Sequence, residues 1–278
     1  MNDLYKGMVF MITLFIGMNI FSSCGSSDDE DNSRIDIGPD SQSSKYILKR
    51  TYSNGSSIWE SVYAYDSESR VIKIAETHTN GNRTTSATKS YVYGGNTIIS
   101  KNVGDWNDGE VHTFTLSSGL IVRNVESAIG KNAYTYNYVY DDRGYIKSLS
   151  FADDSEFSLS GFMQFIWTDD NLTKIIKSWD SGSLTTTTIS YSTIPWPKNW
   201  FQYWDGSNMD EELNPIGAWG KMPKYLPTKF TSIKSNGNSE EWSVDYTLEN
   251  GDVTKMVCKD SNGSDTEVYT LVWGEIPK

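Results

Sequence analysis

Few residues of this sequence have the types and spacing that catalysis or metal binding requires. The chain has two histidines, His78 and His112, and a paired-histidine metal site would need both to converge on one ion. His112 alternates with large apolar residues, which predicts a neutral, hydrogen-bonded histidine that faces the core. Cys258 follows Val257 in a strand-like run, a setting typical of a buried thiol rather than a nucleophile. The sequence therefore indicates no catalytic residue, no metal site and no cofactor.

Clusters of carboxylates offer two alternatives that their spacing does not favour. One oxygen-rich turn fails the spacing of a calcium loop, and its residues are Asp105, Asn107, Asp108 and Glu110. A second group is more typical of a solvated turn than of the paired acids of a glycosidase, and its residues are Asp153, Asp154 and Glu156. A hydrolase acting on glycans is the alternative to a non-enzymatic binding protein. Two carboxylates that converge in a cleft would favour the hydrolase.

One segment combines aromatic rings with breaks in the strand pattern. Ser192 to Pro227 holds five of the seven prolines of the chain, and proline stops regular strand pairing. Flat aromatic faces beside amides and carboxylates suit the stacking and hydrogen bonding of sugar rings. The candidate ligand-binding residues are Trp196, Trp200, Tyr203, Trp204 and Trp219. The alternative is structural, with the same rings buried as a plug over the end of a curled sheet.

The N-terminus carries the features of an export signal. Met8 to Ile20 is an apolar run that is shorter than the roughly 20 residues of a membrane-spanning helix and matches the core of a secretory signal. Small residues lead into Cys24, an arrangement that resembles the lipobox of bacterial lipoproteins. This resemblance implies that residues 1–23 are a lipoprotein signal peptide and that the Cys24 thiol carries a diacylglycerol. An ordinary signal peptide beside a chance cysteine is the alternative.

Residues 24–44 contain almost no aliphatic side chains to bury, which predicts an acidic, flexible tether. A run of acidic residues follows the candidate lipid site, and it consists of Asp28, Asp29, Glu30 and Asp31. This run resembles the export signal that carries many Bacteroidetes lipoproteins to the outer face of the outer membrane. Alternatively, the run only keeps the tether solvated. We expect a lipid-anchored protein of the outer membrane that faces the cell exterior.

The rest of the chain has the composition of a folded β domain. Of 278 residues, 37% are hydrophobic, 13% aromatic and 22% charged, so the chain can bury a core. The formal net charge of −12 argues against a nucleic-acid partner, which requires a basic face. Runs rich in β-branched and aromatic residues alternate with pairs that accept the positive φ of tight hairpins. These pairs are Asn54-Gly55, Asn80-Gly81, Asp108-Gly109, Ser118-Gly119, Ser181-Gly182, Asn236-Gly237, Asn250-Gly251 and Asn262-Gly263.

A hairpin unit repeats along this domain. In each copy large residues alternate with others up to a turn, which places the aromatic side chains on one face of a strand. The copies begin at Tyr63, Tyr136, Met163 and Trp242, with a weaker copy at Tyr91. Return strands carry apolar residues three apart, as at Ile72 and Ala75 or at Leu172 and Ile175. A spacing of three switches faces, so we expect β-bulges or wide burial there.

About 16 such strands, joined by short links, predict an all-β antiparallel meander. Because so large a sheet cannot stay flat, we expect an open or partial barrel whose inner face is lined with aromatics. Residues 45–278 form this single domain, and 192–227 are its one irregular insertion. Polar runs such as 83–90 and Thr185 to Thr188 offer no lipid-facing apolar band. We therefore expect a monomer that is soluble without detergent.

The Tyr-x-Tyr-Asp-turn-Ile unit resembles the tyrosine–aspartate repeats of Rhs-like proteins. The whole plan, from the lipobox through the tether and hairpins to the segment Tyr225 to Lys229, resembles a family of Bacteroidetes outer-membrane lipoproteins of unknown function with a porin-like fold. The resemblance covers about residues 46–278, and it implies a fold and a location but no catalytic residues. We expect a non-enzymatic lipoprotein that is held to the membrane by its lipid, with a glycan or a surface protein as partner.

Overall fold

The computed structural model describes residues 45–154, 160–200, 213, 216–263 and 266–276. Within these residues sixteen antiparallel strands follow one another around a barrel. The first eight are β1 (Tyr46–Asn54), β2 (Ser57–Tyr65), β3 (Val71–Asn80), β4 (Arg83–Tyr93), β5 (Thr97–Gly104), β6 (Val111–Ser117), β7 (Leu120–Ser127) and β8 (Tyr134–Tyr140). The others are β9 (Ile146–Asp153), β10 (Ser160–Thr168), β11 (Asn171–Trp179), β12 (Leu184–Pro195), β13 (Tyr225–Lys234), β14 (Ser239–Glu249), β15 (Asp252–Asp260) and β16 (Thr266–Gly274). Each strand pairs with its neighbours in the sequence, which confirms the all-β antiparallel meander.

The barrel is closed, where the sequence predicted an open or partial one. β1 pairs with β16 from Tyr46 opposite Gly274 to Asn54 opposite Glu267. Closure pairs the N–H and C=O groups that two free edges would otherwise expose. The prediction of an open barrel is therefore corrected. In the part of the chain that is described, no helix is long and apolar enough to cross a membrane.

All eight predicted turn pairs join consecutive strands, as expected from residues that accept positive φ. One two-residue example lies between β14 and β15, where Asn250 has φ 53° and Gly251 has φ 85°. Two successive positive φ values define the turn whose twist matches that of the flanking strands. This local chemistry fixes most of the hairpin boundaries.

Bulges follow the apolar spacing of three, as the sequence predicted. Seven of the eight odd-numbered strands skip one residue in their register near their start. The skip brings two residues three apart onto the inner face, as with Leu172 and Ile175 of β11, which are both buried. In β3 the inward pair is Val71 and Ile74, while Ile72 and Ala75, the pair predicted from the sequence, are both exposed.

Each bulged strand accepts a hydrogen bond from an aromatic side chain of the strand that follows it in the sequence. In the described residues, seven Tyr or Trp side chains donate to a main-chain oxygen next to a bulge, at 2.6–2.8 Å. The donor and acceptor pairs are Tyr65 and Ile47, Tyr93 and Val71, Tyr140 and Ile121, Trp167 and Ile146, Tyr191 and Leu172, Tyr246 and Pro227, and Trp273 and Val253. β5 is the exception, because its pairing with β4 has no register shift. The strand that follows it, β6, has Leu116 where the other strands carry the donating Tyr or Trp.

Two aspartates that follow these tyrosines organise turns. The Asp141 carboxylate accepts the main-chain N–H groups of Arg143 and Tyr145 at 3.0 and 2.9 Å, and it also pairs with the Arg143 guanidinium. Asp66 makes the same contacts with Glu68 and Arg70. In the tyrosine–aspartate repeat, the tyrosine hydroxyl therefore donates beside the bulge, and the aspartate carboxylate accepts the N–H groups of the turn.

The long link from β12 to β13 lies at one end of the barrel, which we call the plugged end. β12 extends to Pro195 and β13 begins at Tyr225, so the irregular part is shorter than the predicted 192–227. Pro227 fits within a strand because the register shifts there, from Ser190 opposite Lys229 to Tyr191 opposite Pro227. The opposite end of the barrel, which we call the far end, carries the turns that lead from odd-numbered to even-numbered strands.

Main-chain hydrogen bonds attach this link to turns around the plugged end. The Ala218 oxygen accepts from the Ile121 N–H at 2.8 Å, and the Lys221 N–H donates to Gly144 at 3.0 Å. Gly220, at φ 79°, lies so close to Gly144 that a Cβ would stand 2.4 Å from the Gly144 oxygen. Only glycine fits there, so the link is held tightly against the turn after β8.

Candidate functional site

A pocket of about 440 Å³ lies inside the barrel among strands β10 to β16. Its lining side chains are Met163, Ile175, Lys177, Trp179, Thr185, Thr187, Phe230, Ser232, Trp242, Val244, Cys258 and Glu267. Trp179 ends β11, while Thr185 and Glu267 are the second residues of β12 and β16. These positions place the pocket in the half of the lumen next to the far end, away from the β12–β13 link.

The floor of the pocket is apolar. Met163, Ile175, Phe230, Val244 and Cys258 are all buried and come from adjacent strands whose inner faces meet here. Burial raises the pKa of the Cys258 thiol to about 12, and the carboxylates of Glu267 and Asp245 add to the rise. The thiol therefore stays protonated at neutral pH, which confirms the predicted buried cysteine and disfavours a nucleophile.

The mouth of the pocket is amphipathic. The Lys177 ammonium lies over the Trp179 ring, 4.7 Å from its centroid, and that ring packs edge-on against Phe151. Across the lumen, the Glu267 carboxylate accepts from the Tyr52 hydroxyl at 3.2 Å and from the Tyr269 hydroxyl at 3.1 Å. Burial raises the pKa of both tyrosines, so they remain donors at neutral pH. Charged groups at the mouth are thus held by aromatic partners.

Hydroxyl groups form one wall between the floor and the mouth. Thr187 Oγ1 and Ser232 Oγ lie 2.8 Å apart in facing positions of β12 and β13. Thr185 lies one inward position closer to the far end. The described lining of the pocket contains one carboxylate, Glu267, and lacks the two converging carboxylates that a glycosidase requires.

Three of the five predicted ligand-binding rings are packed inside the protein. Trp196, Trp200 and Trp219 expose 8%, 2% and 0% of their surface. Trp219 packs edge-on against Phe114 and Tyr138. This burial fits the plug alternative. Tyr203 and Trp204 lie outside the described residues, and ligand binding by this segment stays a prediction.

Trp200 is also fixed by its neighbours. It stacks on Trp273 with 6.5 Å between ring centroids, while the side-chain amide of Asn199, the preceding residue, donates to the Lys45 oxygen at 2.7 Å. The link therefore reaches the junction of β1 and β16, where the barrel closes.

The two histidines lie on different strands, His78 on β3 and His112 on β6, and have different partners. His112 is buried, as predicted, with Nε2 3.0 Å from Glu110 Oε1 and Nδ1 3.2 Å from the Asn124 amide nitrogen. The hydrogen bond from His112 lowers the pKa of Glu110. His78 stacks on Trp59 with ring centroids 3.8 Å apart. In the described parts of the chain, no three His, Cys, Asp or Glu side chains are grouped so that they could hold a metal ion.

The carboxylate turns noted in the sequence have structural contacts. Asp105 accepts from the main-chain N–H of Ser86 at 2.7 Å, and Asp108 accepts from that of Gly104 at 3.2 Å. Asp154 accepts from the Ala133 N–H at 2.9 Å. Glu156 lies outside the described residues, as do Cys24, the acidic run Asp28, Asp29, Glu30 and Asp31, and the whole segment 1–44.

The outer wall of the barrel carries charged and polar side chains as well as exposed apolar ones. Ion pairs link neighbouring strands on this face, as between Lys49 and Glu60 at 2.6 Å and between Lys229 and Glu241 at 2.8 Å. A charged side chain facing lipid at mid-membrane costs about 2–4 kcal/mol for Lys or Arg. Exposed apolar residues such as Val92 and Val139 are interspersed with Thr, Ser and Lys. Charged, polar and apolar side chains thus share the outer wall.

The fold is that of a sixteen-stranded antiparallel barrel, and solved structures share it. A porin-like protein from Bacteroides uniformis ATCC 8492 matches with a TM-score of 0.62 and 17% identity, over 82% of this chain and 96% of that chain. A porin-like protein from Bacteroides vulgatus ATCC 8482 matches with a TM-score of 0.60 and 14% identity, over 83% of this chain and 99% of that chain. No family model matches the sequence. No curated protein matches it either. The likeness confirms the porin-like fold.

Sequence reasoning missed the lumenal pocket. The run Thr185 to Thr188 attracted notice as a polar outer surface, yet Thr185 and Thr187 face the lumen. The available signal was the contrast between these small inward residues and the large aromatics at inward positions elsewhere, such as Tyr136 and Tyr138 of β8. Small side chains on the adjacent strands β12 and β13 leave a space.

Proposed function

We propose that this protein is a lipid-anchored, non-enzymatic binding protein of the outer membrane that faces the cell exterior and takes its ligand into the far end of the barrel. The observation that carries this proposal is the lumenal pocket of about 440 Å³ with an apolar floor and a polar mouth. Its volume lies in the range of small-molecule sites, roughly 300–1,000 Å³. Convergent hydroxyls and charged groups at the mouth supply orientation.

The plugged end argues against a pore. Trp219 is fully buried between Phe114 and Tyr138, and the β12–β13 link is hydrogen-bonded to turns on several strands. A water-filled channel needs a polar lumen and a lipid-facing apolar outer band. Here the buried inner side chains are largely apolar, and ion pairs lie on the outer wall. A binding function fits this arrangement better than transport.

The anchor and the location rest on the N-terminal sequence and on the kinds of protein that share the fold. Cys24 follows an apolar signal core, and an acidic run follows Cys24. Two or more acyl chains make membrane attachment stable. The porin-like neighbours come from Bacteroides, whose lipoproteins the acidic run resembles. A glycan or a surface protein is the partner expected from that location, and Tyr203 and Trp204 stay candidates for contacting it.

Two variants of β12 test whether the lumen is the binding site. Thr187 lines the pocket, whereas its neighbour Thr188 is exposed on the outer wall. Thr187→Trp should fill the pocket and abolish binding of compounds found by thermal-shift screening, while Thr188→Trp should leave binding unchanged. Compounds that bind both variants equally would contradict lumenal binding. Conversion of a bound oligosaccharide to shorter products would instead support the hydrolase alternative.

A further inference from the structure

We propose that the lumenal pocket binds a small molecule with a compact apolar body and one polar end, rather than a segment of a polysaccharide. This inference rests on the proposed binding function and names the class of ligand. The contrast between the floor and the mouth of the pocket carries it.

The floor offers nothing for a sugar to bond. Met163, Ile175, Phe230, Val244 and Cys258 present methyl, methylene, aromatic and thiol groups. A sugar ring carries hydroxyls around its whole edge, and burying them without partners is costly. An aliphatic or aromatic body on the same floor replaces apolar surface that would otherwise face water, which is favourable.

Polar groups line the pocket between its floor and the far end. The hydroxyls of Thr187 and Ser232 stand 2.8 Å apart on one wall, and Lys177 and Glu267 lie nearer the far end. A ligand with its apolar body on the floor would therefore present its polar end to these groups. Trp179 and Trp242 also line the pocket, and aromatic side chains suit contact with a ring or a branched chain.

The plugged end limits the length of the ligand. Trp219 is fully buried at the plugged end, where it packs against Phe114 and Tyr138, so a polymer would insert only one end into the pocket. A cavity of about 440 Å³ matches a single compact molecule.

The test uses N-phenyl-1-naphthylamine, an uncharged dye with apolar rings and one N–H, whose fluorescence rises in an apolar site. Maltohexaose and cellohexaose are titrated in parallel by calorimetry. We expect the purified protein to bind the dye and neither sugar. Thr187→Trp should weaken dye binding by about tenfold or more, because it fills the pocket, while Thr188→Trp should change it by less than about twofold.

Cys258 gives a second readout that needs no variant. Its thiol lies on the floor, so dye at ten times its dissociation constant should slow alkylation of Cys258 by N-ethylmaleimide about tenfold. Because the thiol is buried and its pKa is raised to about 12, alkylation is slow, so it is followed over hours at pH 9 by peptide mass spectrometry and compared with the rate in dye-free protein. This measurement decides the matter even if Thr187→Trp does not fold.

The outcomes separate the two proposals. Dye binding that protects Cys258 supports the apolar ligand class. Binding of a hexaose that protects Cys258, without dye binding, would overturn the ligand class and keep the lumenal binding function. Dye that binds without protecting Cys258 sits elsewhere and overturns the inference. If neither the dye nor any compound from the thermal-shift screen protects Cys258, the inference and the proposed function both fail.

Discussion

The Tyr140 hydroxyl donates to the main-chain oxygen of Ile121 at 2.8 Å, next to the residue that the register of β6 and β7 skips. A bulge locally disrupts the hydrogen bonding of a strand, and a buried carbonyl without a donor is costly. Burial raises the pKa of Tyr140, so the phenol keeps its proton and can donate. The aromatic residue that ends a strand therefore satisfies the main chain that the bulge perturbs.

Tyr140→Phe tests this relationship. Removing the hydroxyl leaves the Ile121 oxygen without its side-chain donor, and we expect a loss of about 1–3 kcal/mol in the free energy of unfolding. This loss corresponds to a fall of roughly 2–12 °C in melting temperature, measured by circular dichroism. Tyr134→Phe on the same strand is the matched control, since within the described residues Tyr134 donates to no main-chain oxygen. Equal melting temperatures for the two variants would contradict the assigned role.

The turn aspartates predict a loss of stability in acid. Burial alone would raise the pKa of Asp66 and of Asp141, but hydrogen bonds from turn amides and from arginine outweigh it, and both pKa values are lowered. Because the folded pKa lies below the unfolded value of about 3.9, each carboxylate stabilises the fold above that value. The contribution is lost as the pH falls through the folded pKa.

The double variant Asp66→Asn, Asp141→Asn should therefore show a shallower fall in melting temperature between pH 5 and pH 3 than the parent. Asparagine keeps an oxygen that can accept the turn N–H groups, so the change isolates the charge. Asp142→Asn with Asp180→Asn removes two exposed carboxylates and is the control for net charge. A slope identical to that of the parent would show that these turns carry no acid sensitivity.

Local chemistry explains what the sequence could predict. Asn250-Gly251 has the φ values of a tight hairpin, and the spacing of Leu172 and Ile175 marks a bulge, because both depend on neighbouring residues. Closure was missed because it depends on β1 meeting β16, as where Tyr52 contacts Glu267, 215 residues away. Nothing in either strand alone identifies its partner.

The pocket was missed for a related reason. Its lining comes from strands β10 to β16, and an empty space is a property of all of them together. Conversely, Trp219 was a candidate because aromatic type and proline breaks are visible in sequence. Whether its ring faces solvent or packs against Tyr138 is decided only by the three-dimensional fold.

Trp219→Ala should destabilise the plugged end strongly. The ring is fully buried against Phe114 and Tyr138, and removing a buried Trp side chain costs about 3–5 kcal/mol. We expect the melting temperature to fall by roughly 6–20 °C. Ile129→Ala is the control, because Ile129 is 89% exposed. A small change at Trp219 together with weakened ligand binding would instead favour the ligand platform.

Cys24→Ala should abolish fatty-acid labelling of the protein in cells. The thiol is the acceptor that the lipobox resemblance implies, and the chain has one other cysteine, Cys258, which is buried. Labelling with an alkyne fatty acid followed by gel fluorescence measures the outcome, and Cys258→Ala serves as the control. Unchanged labelling of Cys24→Ala would exclude this residue as the lipid site.

Residues 45–278 should be soluble and monomeric without detergent. All sixteen strands lie within this range, and closure between β1 and β16 leaves no free edge that could pair with another chain. The outer wall carries the ion pairs Lys49 with Glu60 and Lys229 with Glu241, which water tolerates and a lipid interior does not. We expect one monomeric peak in size-exclusion chromatography with light scattering, and no uptake by phosphatidylcholine vesicles in flotation. A sixteen-stranded porin handled in parallel should precipitate without detergent. If the protein instead required detergent and floated with the vesicles, its outer wall would have to face lipid, and the water-facing barrel would be wrong.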